Sequence, residues 1–85
     1  MNYTVVNSIS DEELGVLDEN LNVLSGDHLR DFMDTVPEEL PLRLGVTEGD
    51  RHETYHHMRQ RGRPGYFSAF IDHIHQNNLY MRKAE

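Results

Sequence analysis

The chain has 85 residues, 36% of them apolar and 27% charged, and contains no cysteine; its mean hydropathy is −0.72. That is enough for one small domain held by packing alone, and it excludes a disulfide framework, a haem attachment and a thiolate zinc site. The formal net charge of −7 argues against general binding to nucleic acid or to an anionic membrane, both of which select basic surfaces, and with neither a long apolar run nor a signal-like N-terminus the expected compartment is the cytoplasm.

In chain order, Ser10-Asp11-Glu12-Glu13 has the form of a capping box, with a serine oxygen to accept a free backbone N–H and a glutamate three residues on to reach back. Leu14, Leu17, Leu21 and Leu24 follow at helical spacing, and Ser25-Gly26 suits a C-terminal turn. A second helix is expected from Asp27 to about Val36, with Leu29, Phe32, Met33 and Val36 on one face and Pro37 closing it. Between Glu38 and Val46, Leu40, Leu42, Leu44 and Val46 alternate like a strand, but Pro41 and Gly45 interrupt them and favour a short irregular helix. Asp50-Arg51-His52-Glu53 is a second capping-box pattern, opening a polar helix to about Arg61 that Gly62-Arg63-Pro64-Gly65 must break. Phe67, Phe70, Ile71 and Ile74 then repeat at helical spacing before Asn77-Asn78, and Leu79 to Ala84 reads as a short last helix. The resulting expectation is an all-α antiparallel bundle filling residues 1–85 as one domain.

Charge is unevenly distributed. Residues 1–50 hold 12 acidic and 2 basic residues, a net of −10, whereas residues 51–85 hold 6 basic and 3 acidic residues, a net of +3, together with five of the six histidines. If the fold separates these sets, an acidic face on one molecule can meet a basic face on another in a contact that propagates.

One motif carries enzyme-like chemistry. His52-Glu53-Thr54-Tyr55-His56 matches HExxH, in which two imidazoles one helical turn apart bind zinc and the glutamate polarises a metal-bound water. His73, His75 or Asp72 could supply a third ligand by folding back, but the longer metalloprotease pattern is not met, since Arg59 and Gly62 occupy its next positions. A minimal zinc hydrolase using His52, Glu53 and His56 is therefore the alternative reading, with an exposed polar helix face the competing one; no other cofactor is implied. The sequence has no nucleophile-elbow serine, P-loop or dinucleotide-binding glycine pattern. Tyr66 and Tyr80 lie among arginines and could stack bases, but the acidic half would repel phosphates.

The segment GRPGYFSAFIDHIHQNNLY, Gly62 to Tyr80, entered from YHHMRQR, Tyr55 to Arg61, resembles the fourth and fifth helices of caspase recruitment domains, most closely those of cytosolic viral-RNA sensors and their mitochondrial adaptor. The resemblance implies a six-helix death-fold bundle without catalytic activity. It would be a signalling adaptor of innate immunity or cell death that assembles with other death-fold domains through opposite-charge patches. The acidic patch maps onto Asp27, Asp31, Asp34, Glu38 and Glu39, and the basic patch onto Arg51, Arg59, Arg61 and Arg63. One departure stands out: Asp11, Glu12, Glu13, Asp18 and Glu19 occupy the expected first helix, where that family often carries basic residues, which favours a basic heterotypic partner as much as self-association.

Overall fold

The structure, a computed structural model, describes residues 1–44 and 55–84. Strands β1 (Asn2–Asn7), β2 (Glu13–Asp18) and β3 (Val23–Ser25) lead into helix α1 (Asp27–Asp34), followed by β4 (Glu39–Leu44), β5 (Tyr55–Gln60), helix α2 (Tyr66–Gln76) and β6 (Leu79–Ala84). One sheet has the order β3-β2-β1-β6 and is antiparallel throughout; β4 and β5 form a separate antiparallel pair.

This architecture overturns the expected six-helix bundle, and with it the resemblance to caspase recruitment domains: the described residues form two helices and six strands. The Leu14–Leu24 stripe is not one face of a helix. Leu14 and Leu17 lie in β2, Leu21 in a turn with φ of 66°, and Leu24 in β3. The turn is organised by Asp18, whose carboxylate accepts the backbone N–H groups of Asn20 and Asn22, each at 2.9 Å, and the Asn22 amide at 3.1 Å. These bonds, led by the Asn22 backbone N–H, outweigh desolvation and hold the Asp18 carboxyl below its ordinary 3.8. Asp18 therefore supports the folded turn above the ordinary carboxylate range, and that support disappears as pH falls through the lowered value.

The first capping-box pattern also has another use. Asn7 Oδ1 accepts the N–H groups of Ile9 and Ser10 at 2.8 and 3.0 Å, and Ser10 Oγ accepts that of Glu12 at 3.3 Å, so these residues turn β1 into β2. The expected third helix is β4, in which Pro41 stands opposite Met58 of β5; with β4 paired on one side only among the described residues, its other edge tolerates a residue lacking an N–H. Tyr55–Gln60 of the expected fourth helix is β5, and Leu79–Ala84 is β6. Both helices read from the Asp27–Val36 and Phe67–Ile74 stripes are present, as α1 and α2.

Both helices contribute to the main core. Val5 of β1 and Leu17 of β2 are fully buried with Leu29 of α1 and with Phe70 and Ile74 of α2; Leu40 of β4 is 2% exposed in the same cluster. Burying side chains of this size contributes about 1.5 to 3 kcal/mol each. The chain passes from β3 into α1 hard against β2. A Cβ on Gly26, which has φ of 102°, would collide with the Leu14 carbonyl oxygen and come within 2.6 Å of the Gly15 Cα, and one on Gly15 would lie 2.9 Å from the Leu29 Cβ.

Replacing Phe70 by alanine should cost about 3 to 5 kcal/mol, and Gly26→Ala about 3 kcal/mol from combined strain and collision. In a domain whose total stability is of order 5 kcal/mol, either change should remove most of that stability, read by circular dichroism as a much lower urea midpoint. A Gly26→Ala midpoint no lower than that of an exposed substitution such as Asn20→Ala would show that the β2–α1 contact is not tight.

Candidate interaction surface

The register of β6 determines which of its groups face outward. Residues Asn2 to Asn7 pair with Ala84 to Leu79 in order. Just beyond the ladder, Ser8 N–H donates to the Asn78 carbonyl at 2.8 Å. Because antiparallel pairs alternate between bonded and non-bonded positions, that bond sets the parity: backbone groups of Tyr80, Arg82 and Ala84 face β1, while those of Leu79, Met81 and Lys83 face away from it. The bond from Asn7 N–H to Glu12 O, 2.8 Å, agrees, turning the odd-numbered residues of β1 toward β2. Among the described residues no strand pairs with the outer edge of β6.

Side chains at the same odd positions of β6 lie on the helix side of the sheet, since Met81 stands opposite buried Val5 and Lys83 opposite Tyr3. Helix α2 supplies the facing wall. Its buried residues are Tyr66, Ala69, Phe70 and Ile74, and on its flank Phe67, Ile71 and His75 are spaced i, i+4, i+8. Together Tyr3, Phe67, Ile71, His75, Met81 and Lys83 line a groove of about 200 Å³. Tyr3 and Phe67 stack at its floor with centroids 5.6 Å apart and planes tilted by 50°.

The other end of the four-stranded sheet is less suited to pairing, because β3 has three residues and a register break against β2. On the helix-free face a shallow depression is crossed by Arg82 and Glu13, paired at 2.6 Å over β1. Hydrogen bonding to Glu13 raises the Arg82 pKa, but both side chains are about half exposed, so solvent screens the pair and it adds little to stability.

The residues singled out by charge fall elsewhere. Asp27, Asp31 and Asp34 lie on the exposed side of α1, where Asp27 meets Arg30 at 3.6 Å, and exposed Glu38 and Glu39 follow. Arg59 stands opposite Leu40 in the β4–β5 pair, close enough to Gly65 that a Cβ there would be 2.7 Å from its Nε. Arg61 N–H donates to the Glu38 carbonyl at 2.8 Å, and Arg63 is exposed in the loop before α2. The acidic and basic sets adjoin at Glu38 and Arg61. Arg51, His52 and Glu53 lie outside the described residues. His56 lies in β5, so the part of its segment that is described is strand and not the helix assumed for zinc binding. Among the described residues no group of three or more metal-ligating side chains is found, and no helix is long and apolar enough to cross a membrane.

Tyr66, 3% exposed, donates its hydroxyl proton to the Pro37 carbonyl at 2.6 Å. Burial raises the Tyr66 pKa above its ordinary 10.0; Arg61 opposes that rise and Glu38 adds to it. Tyr66 and Arg61 also border a second cavity, of about 340 Å³, with Arg63, Glu19 and Leu21.

The groove residues Tyr3, Met81 and Lys83 were not among those marked by the sequence. The available signals were the run Tyr3-Thr4-Val5-Val6, rich in strand-favouring residues, and the alternation of Leu79, Met81 and Lys83. Comparison of the chain with family models, with curated proteins and with solved structures finds no match.

Tyr66→Phe should cost about 1 to 2 kcal/mol near neutral pH, since the Pro37 carbonyl loses its donor. A tyrosine with a raised folded-state pKa stabilises fully below pH 10 and loses that contribution as pH rises through the raised value. The stability gap between the native chain and the variant should therefore narrow in alkaline urea titrations; a constant gap would contradict the raised pKa of the buried hydroxyl.

Proposed function

We propose that this chain is a protein-interaction domain that binds by adding an extended segment of another protein to the β6 edge. One observation carries the reading: the outward backbone groups of Met81 and Lys83 lie beside the groove lined by their own side chains and by the flank of α2. In strand addition the main chain supplies hydrogen bonds while alternate side chains enter pockets, and β6 offers both elements along one line. A six-residue edge without a partner strand is an aggregation hazard unless it is managed or used.

An interaction role was also expected from charge, but here the contact moves from helix patches to a strand edge. The death-fold ancestry is set aside with the helical bundle. The acidic side of α1 and the adjoining arginines then influence how partners approach, and they are not the docking surface itself.

Selection of displayed random peptides on the purified domain tests the proposal. Enriched sequences should be extended, and titration with one of them should shift the Met81 and Lys83 backbone amides most strongly in NMR spectra. Met81→Pro removes an outward N–H without touching the β1–β6 bonds, so it should keep the native spectrum and weaken binding at least tenfold. The proposal fails if the native domain enriches nothing beyond what a folded Met81→Pro domain enriches.

A further inference from the structure

The chemistry of the groove specifies its occupant. Helix α2 and β6 are joined by the tight Asn77-Asn78 turn and run antiparallel, so Phe67 at the start of α2 lies near Lys83 at the end of β6, as the Tyr3–Phe67 stack and the Tyr3–Lys83 pairing both require. Ile71 and Met81 occupy the middle, and His75 stands toward the opposite end. The lining is thus apolar at its centre and floor. Its charged side chain is Lys83, with the His75 imidazole and Tyr3 hydroxyl as further polar groups and no carboxylate among the lining residues.

Lys83 is thus a local cation beside an apolar groove on a molecule of net charge −7. We infer that the occupant is an acidic extended segment of a different protein, placing one bulky apolar side chain over Ile71 and Met81 and a carboxylate two residues away against Lys83. The spacing follows from strand geometry: on a strand laid beside β6, residues two apart point to the same side, about 6 to 7 Å from one another. This inference rests on the strand-addition reading and adds to it the identity of the side chains read.

Charge also discriminates against a second copy of this chain. An antiparallel self-pairing of β6 in the register that sets the two Lys83 side chains opposite one another is destabilised by like charge, whereas the register centred on Met81 sets Lys83 opposite Leu79. Lysine on an edge strand is a known means of preventing such self-pairing. An incoming acidic strand meets the same lysine as a partner.

The probes are an extended peptide enriched on the native domain and its two synthetic relatives, one with glutamate and one with lysine at the position facing Lys83. The glutamate peptide should bind about three- to tenfold more tightly than the lysine peptide, and the difference should shrink at high salt. Lys83→Glu should reverse the order, whereas Ile71→Ala should weaken both peptides alike. If both peptides bind the native domain equally, and Lys83→Glu leaves them equal, the acidic specificity is wrong while strand addition stands. If no peptide depends on the β6 edge, strand addition itself is wrong. Sedimentation showing a dimer that Met81→Pro dissociates would overturn the inference in favour of a second copy.

Discussion

The ladder between β1 and β6 joins the two ends of the sequence, and the remaining structure is arranged around it. Asn2 to Asn7 pair with Ala84 to Leu79, so the first strand becomes an interior strand only when the last one arrives. Closing a loop of this length costs more entropy than closing a hairpin, although the cost grows slowly with length. The compensation is burial: Val5 and Val6 are both fully covered. Val5 faces the helices and joins the main core, while Val6 is flanked in the ladder by Glu13 and Tyr80 on the side that no helix covers. The same closure leaves β6 as the long outer strand, which makes the candidate docking edge a direct product of the topology.

Helix α2 links that ladder to the rest of the molecule. Phe70 and Ile74 enter the main core, and Tyr66 reaches across to the Pro37 carbonyl before β4. Its remaining flank, Phe67 and Ile71, is only partly covered because the sheet ends at β6. A helix with one face in the core and a second apolar stripe at the margin is wider in its hydrophobicity than a two-layer packing of this size needs. The apolar residues beyond that requirement are those that line the groove.

Legibility in the sequence followed the distinctiveness of each period. Both helices were visible because Leu29, Phe32, Met33 and Val36, and then Phe67, Phe70, Ile71 and Ile74, repeat at helical spacing within uninterrupted segments. The leucines from Leu14 to Leu24 have the same spacing by coincidence, since Asp18 places a turn in the middle of the run and Gly15 lies where β2 and the start of α1 must touch. From Glu39 to Leu44 the chain is a strand in spite of Pro41, because among the described residues β4 pairs with β5 alone and its other edge holds the proline. The site was less visible still. Tyr3 and Lys83 are 80 positions apart in the chain and meet only through the ladder, so no local pattern announces their groove.

Lys83 shows why an edge can be both protected and functional. A strand edge free to pair with anything would favour self-association, and an edge blocked by proline or a bulge would pair with nothing. β6 contains neither proline nor a register break against β1. Its protection is instead electrostatic, and electrostatic protection depends on the sign of the incoming strand. Against another β6 with its Lys83 opposed the charge is repulsive; against a carboxylate it is attractive, while the backbone bonds available are the same in both cases. Selectivity between partners is a difference of free energies, and a repulsive element that acts only on the wrong partner contributes to that difference without weakening the right one. The −7 of the whole chain acts differently: at longer range it repels a second copy and an acidic partner alike, so discrimination between them rests on Lys83 at the edge.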